Sequence, residues 1–218
     1  MTKGFKSERG QAFPIYIVMV AGLLFLAFAF FAVGQASAAR NGAQGAADAA
    51  ALAAAQEARQ EMGLPFLQAL RGPNGLDGFL SGYQYFQSGR SEAEWIASRN
   101  HSDVTDFYWR PGFWQDKVTA TVKTRYTVGT SVIPSTKSRH ATASATAVVE
   151  FRCSLKSLPQ LPAPGQGEDD GKGKGDSKDT PGPVEFSCDG RSVSIDLSDR
   201  DPLAGLSKLF FAVHLIDD

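Results

Sequence analysis

The chain has few of the residues that build catalytic centres. It contains only two cysteines, Cys153 and Cys188, too far apart for a CxxC redox motif. Its three histidines, His101, His140 and His214, show no paired spacing of the kind a metal site needs. No HExxH, GxSxG, Walker or Rossmann pattern stands in a suitable context. Asp169 and Asp170 lie in a stretch too poor in fixed ligands to hold Ca²⁺. The net charge of −1 gives no electrostatic case for nucleic acid. These absences argue against an enzyme and predict no metal, no cofactor, no nucleic-acid partner and no small-molecule ligand.

The most telling absence is local: no charged residue stands between Arg9 and Arg40. Within that interval Phe13 to Val33 is almost wholly apolar, long enough to cross a bilayer as a helix. Gly34 to Arg59 then reads GQASAARNGAQGAADAAALAAAQEAR, whose alanine content favours helix above all else. The first stop is Gly63 with Pro65 beyond it. Pro14 sits in the first turn, where a proline is tolerated. The expectation is one helix of roughly 49 residues, about 73 Å long, half in lipid and half in water.

Lys3, Lys6 and Arg9 precede the apolar run, opposed only by Glu8. The positive-inside rule therefore predicts a cytoplasmic N-terminus and an extracytoplasmic remainder, where a disulfide persists. A cleaved signal peptide competes with this, since Ala36-Ser37-Ala38 is an A-x-A site. The run exceeds a usual h-region of about 7 to 15 residues, so retention as a single-pass anchor is favoured. Small residues recur every four positions at Gly34, Ala38, Gly42, Ala46, Ala50 and Ala54. They form a candidate helix-packing stripe; the competing explanation is helix propensity alone, which accounts for the alanines and not the glycines.

The basic tail, RGQAFPIYIVMV and the junction AARNGAQGAADAAALAAA resemble the N-terminal module of TadE/TadG-like proteins of the Flp (tight-adherence) pilus system. The resemblance covers residues 9 to about 59. It implies a pilin-like, membrane-anchored structural or assembly role, with the bilayer and other pilin-like subunits as partners. Processed pilins of this group carry a glutamate five residues after the cleaved glycine. Counted from Gly10 that position is Ile15, which implies insertion without cleavage there.

Further on, Arg71 to Gly78 reads as a loop by its glycine and proline content, with Leu67, Leu70, Leu76, Phe79, Leu80, Tyr83, Tyr85 and Phe86 as apolar anchors. Ser91 and Glu94 form a capping box for a short helix ending near Asn100, with Trp95 and Ile96 on its buried side. Phe107 to Trp114 is the densest aromatic cluster. Tyr108, Trp109 and Trp114 are candidate partner contacts, or else the cluster is a lid on the following sheet. Strict alternation predicts two strands. One puts Val118, Ala120, Val122, Tyr126 and Val128 on its dry face, the other Ala141, Ala143, Ala145, Ala147, Val149 and Phe151. Alanine-lined strands leave room for the long helix.

Pro159 to Pro183 is too polar to order itself, and its Gly-Lys repeats lack the strand–helix context of a phosphate cradle. Asp189-Gly190 marks a two-residue hairpin that sets Phe186 beside Val193 and Val184 beside Ile195. Pro202 to Leu215 has its apolar residues at helical spacing. Cys153 and Cys188 both fall on buried faces beside the disordered loop, so they are predicted to pair if the hairpin docks next to the second strand.

The predicted fold is α+β. A pilin-like N-terminal helix, transmembrane then soluble, packs on a small antiparallel sheet, with a disordered loop and a short C-terminal helix. The predicted segments are a basic tail (1–12), a transmembrane helix (13–35), its alanine-rich extension (36–62) and an extracytoplasmic domain (63–158). A linker (159–183) and a closing hairpin with helix (184–218) complete it. The leading function is a membrane-anchored assembly component. The alternative is a secreted binding module, released after Ala38, that uses residues 107–114.

Overall fold

A computed structural model describes residues 12–72, 75–81, 89–131, 134–157, 183–197 and 207–217. The basic tail, Tyr83, Tyr85, Phe86, the 159–182 linker with Asp169 and Asp170, and residues 198–206 lie outside the described residues.

The chain folds as a long helix laid on antiparallel sheets. Helix α1 runs unbroken over Ala12–Glu61, 50 residues, as the alanine content predicts. From Ala39 onward it is buried along Ala43, Ala46, Ala47, Ala50, Ala51, Ala54, Ala55 and Ala58. These recur three and four apart, one face of a helix. Opposite them lie Val118, Ala120 and Val122 of β2 (Gln115–Thr127) and Ala145, Ala147 and Val149 of β3 (His140–Phe151). Small side chains on both surfaces let the helix backbone approach the sheet closely. The expectation that alanine-lined strands receive the helix is met.

Gly63 and Pro65 follow the end of α1 at Glu61, as expected, but they do not end helical structure. After a turn at Met62, α2 runs over Gly63–Arg71 and α3 over Gly75–Leu80. Pro65 falls in the first turn of α2, where a missing N–H costs nothing. The expected loop is therefore largely helical. Its reward is Phe66, fully buried, whose ring lies 5.3 to 5.8 Å from those of Phe79, Phe151, Phe186, Phe210 and Phe211. Helix α4 (Arg90–Arg99) is capped by Gly89 and not by Ser91, with no side-chain cap bond. It buries Ala93 and Ala97, while Trp95 is 53% exposed. Gly89 has φ +88, and an added Cβ would stand 2.7 Å from the Ala54 carbonyl oxygen. Alanine packing, not an aromatic face, seats α4 on α1.

The main sheet has the order β1-β2-β3-β7. Strand β1 (Ser102–Arg110) takes up part of the aromatic cluster. A register shift between Val104 and Asp106 breaks its alternation and hid it from pattern reading. A second irregularity, between Lys123 and Thr127, leaves Tyr126 40% exposed while its hydroxyl stays against α1. On the outer face, hydroxyl pairs bridge β2 and β3: Thr119 to Thr146 and Thr121 to Ser144, each at 2.8 Å.

The second sheet is β4-β5-β6: β4 (Cys153–Ser157), β5 (Val184–Cys188) and β6 (Arg191–Ile195). The hairpin has the expected register, Phe186 opposite Val193 and Val184 opposite Ile195. Asp189 and Gly190 both take positive φ, as its two-residue turn demands. The hairpin docks on β4, not beside β3; the place next to β3 belongs to β7 (Phe211–Ile216). The C-terminal helix is a single turn, α5 (Ser207–Phe210). The helical periodicity expected out to Leu215 gives way to a strand because β3 offers an unpaired edge there.

Candidate assembly interface

Three predicted sites have a place in this fold. The first is the small-residue stripe. A spacing of four exceeds the helical period of 3.6, so each step rotates the stripe by about 40°. It therefore crosses from one face of α1 to another. Gly34, Ala38 and Gly42 are exposed, whereas Ala46, Ala50 and Ala54 are covered by the protein's own domain. The exposed part is not wholly open. The Tyr126 hydroxyl lies over Gly42, where a Cβ would stand 2.2 Å from that oxygen.

Below this point α1 is bare. From Phe13 to Val33 every large apolar side chain is exposed, Phe13 at 72% and Phe30 at 75%. The segment is long and apolar enough to cross a membrane. Only Ala32, 2% exposed, interrupts the pattern. The loop joining β2 to β3 reaches this part of α1: Thr130 and Ser131 line a groove with Phe28 and Phe31, and Gly129 lies against the Gln35 side chain. The Gln35 Oε1 atom is buried without a hydrogen bond.

The second site is the aromatic cluster, which the sheet divides. Phe107 and Trp109 turn toward the core. Tyr108, 37% exposed, points to the other side, its ring under the Arg110 guanidinium at 5.0 Å. Trp114 follows β1 on the loop and stacks on Phe151 with centroids 6.1 Å apart. Phe113 meets it edge-on at 5.4 Å. Tyr108 and Trp114 therefore do not form one contact surface, and Trp114 acts as a half-exposed cover over the core.

Asp116 was not singled out by the sequence, since one aspartate in an alternating strand carries no signal. It lines a small cavity with Met62, Phe79, Leu80, Phe113, Trp114, Val149, Phe151 and Phe211. Burial among these uncharged groups pushes its carboxyl up to about 6, against the pull of the Gly112 N–H that donates to it at 3.0 Å. At the opposite end of the sheet the Arg125 guanidinium donates to Asp103 at 2.6 Å and holds that carboxyl below its usual range.

The third site is the cysteine pair. Cys153 and Cys188 sit directly opposite each other on β4 and β5 and form a disulfide, with Cα atoms 4.2 Å apart. Beside it Arg152 pairs with Asp189 at 2.7 Å. Among the described residues no three His, Cys, Asp or Glu side chains converge as metal ligands would.

The part of the chain that carries the clearest signal is thus α1, bare at one end and embedded at the other. Residues 10–57 match the family model Tad, "Putative Flp pilus-assembly TadE/G-like". This Tad match spans the helix and stops before α2, so it coincides with the junction that carried the resemblance in the sequence. No curated protein and no solved structure matches the chain.

Proposed function

We propose that the chain is a membrane-anchored, pilin-like assembly component of a Flp-type pilus or a related surface apparatus. The N-terminus lies in the cytoplasm and the α+β domain outside the membrane. The observation that carries this is the division of α1. Its first half exposes a continuous apolar surface of bilayer length, and its second half is the central element of a folded domain. The Tad match over that same helix supports an assembly role rather than catalysis. Lys3, Lys6 and Arg9 support the orientation by the positive-inside rule.

Contact with neighbouring helices would run through Gly34, Ala38 and the apolar residues below them, the part of α1 that its own domain leaves free. Release after Ala38 fits this arrangement poorly. The bond lies within an unbroken helix, and a cut would strip away the helical turn whose Gln35 meets the β2–β3 loop. Alkaline carbonate extraction and protease treatment of wall-stripped cells test the reading. The protein should stay in the membrane fraction and lose its C-terminal domain to external protease. A mature protein that begins at Ala39, or a protected domain, would sink it. Loss of surface pili on deletion, restored by the intact gene, tests the apparatus.

A further inference from the structure

The loop between β2 and β3 is placed where a soluble loop has no reason to be. Its Gly129, Thr130 and Ser131 lie beside Phe28, Phe31 and Gln35, residues of the apolar half of α1 and the turn that follows it. Phe13 to Val33 spans about 31 Å at 1.5 Å per residue, close to the hydrocarbon thickness of about 30 Å. Phe31 then lies about 12 Å from the midplane and Phe28 about 8 Å. A loop level with these residues is at the boundary between acyl chains and headgroups. This depends on α1 being the membrane anchor proposed above.

The described residues of the loop satisfy several of their polar groups internally. A backbone segment that leaves water must satisfy its polar groups internally. Here Ser131 Oγ and Thr136 Oγ1 are 2.9 Å apart, and the Thr136 hydroxyl donates to the Gly129 carbonyl at 2.9 Å. The Arg139 N–H donates to the Thr136 carbonyl at 3.1 Å, and the Val128 N–H to the Arg139 carbonyl at 2.8 Å. The 3₁₀ helix Pro134–Ser138 closes the return to β3. Lys137 and Arg139 are exposed and have no ion pair among the described residues, and Arg40 on α1 is likewise exposed and unpaired. Asp103, the carboxylate at this end of β1, is already held by Arg125.

We propose that the described residues of this loop, 128–131 and 134–139, form a second membrane contact. Its groove between Phe28, Phe31, Thr130 and Ser131 receives a phospholipid, and Lys137 and Arg139 meet the phosphate of an anionic headgroup. The occupant follows from the groove: aromatic rings below, hydroxyls above, and unpaired cations where phosphates lie. The domain is then held upright against the bilayer by two points, α1 and the loop, instead of swinging on the helix alone.

Depth-dependent fluorescence quenching tests this on the full chain in vesicles. Because the native cysteines are paired, a single introduced thiol can be labelled without reductant. Labels at L24C, T130C and S194C report mid-span, loop and distal sheet, in phosphatidylcholine with or without phosphatidylglycerol and a quencher near the headgroup. The Thr130 label should be quenched well above Ser194, more so with the anionic lipid. K137E with R139E should cut that quenching by about half or more and leave Leu24 unchanged. A Leu24 label quenched by a mid-chain quencher, with Thr130 as dark to lipid as Ser194, overturns the loop contact and leaves the anchor standing. A Leu24 label that no lipid quencher reaches overturns the anchor, and the loop contact with it. Thr130 quenching indifferent to lipid charge and to both substitutions overturns the headgroup contact.

Discussion

Replacing Asp116 by Asn should stabilise the protein at neutral pH and do nothing at low pH. The carboxyl is pushed up to about 6, from a usual value of 3.8, by burial among uncharged residues. At 1.36 kcal/mol per unit this corresponds to roughly 3 kcal/mol. The half-exposed Phe113 and Trp114 leave the group partly screened by water, which reduces the figure to about 1–2 kcal/mol. The sign follows from proton linkage. Above pH 6 the charge is present in both folded and unfolded chains, and the folded state bears the whole penalty. As pH falls from 6 toward 3.8 the folded protein holds a proton that the unfolded chain does not, so stability rises. Below 3.8 both are neutral and the penalty is gone. Asn keeps an oxygen to accept the Gly112 N–H and never charges. Urea unfolding of the full chain in detergent micelles, followed by tryptophan fluorescence, measures the difference. D116N should have a midpoint higher by about 0.5–1 M at pH 7.5, and the two curves should coincide near pH 3.5. A variant less stable at pH 7.5, or a difference that does not change with pH, would show that the carboxylate is compensated in its pocket.

Phe66→Ala removes the ring at the centre of five others and should cost about 3–5 kcal/mol; thermal unfolding by circular dichroism checks it, and a loss under 1 kcal/mol would mean the site collapses freely. Gly89→Ala combines positive φ with a clash against the Ala54 backbone and should cost at least about 2 kcal/mol, with α4 the first segment to lose hydrogen-exchange protection. Replacing Cys153 and Cys188 together by Ser opens a loop of sequence separation 35 and should lower stability by up to about 4 kcal/mol on the chain-entropy account. In the native protein, non-reduced peptide mapping should recover the two cysteines as one linked peptide.

The sequence was most readable where one signal dominated. Alanine content and the uncharged run fixed α1, strict alternation fixed β2 and β3, and Asp189-Gly190 set the hairpin register to the residue. It misled where local and tertiary signals disagreed. Leu206, Leu209, Phe210 and Val213 do fall at helical spacing, but Phe211 to Ile216 gains more by pairing with the free edge of β3. Gly63 and Pro65 do mark the stop of α1 at Glu61, but they also open α2, because a helix start and a helix end use the same residues. The stripe of small residues is visible in the sequence, but a spacing of four drifts around a helix of period 3.6. That drift separates Gly34 and Ala38 from Ala46 and Ala50. Asp116 and the placement of the β2–β3 loop depend on contacts between distant segments and left no mark in the pattern.

The contact between α1 and the sheet has a mechanical side. Alanines of the helix against alanines and valines of the strands make a shallow surface that resists sliding along the helix axis only weakly. What fixes the axial position is bulk at the two ends: the Phe66 nest beyond α1, and the Tyr126 hydroxyl over Gly42 with Gln35 against Gly129 below. Strand β3 runs the same way as α1, from the Ala39–Ala141 contact toward the Phe66 cluster. A tug on the N-terminal helix, such as extraction from the bilayer would apply, therefore shears the two elements past each other instead of peeling them apart. The alanine track transmits little of that load. The ends carry it, so the domain behaves as a slider with two stops, and the stiffness of the whole is set by residues that make up a small share of its core.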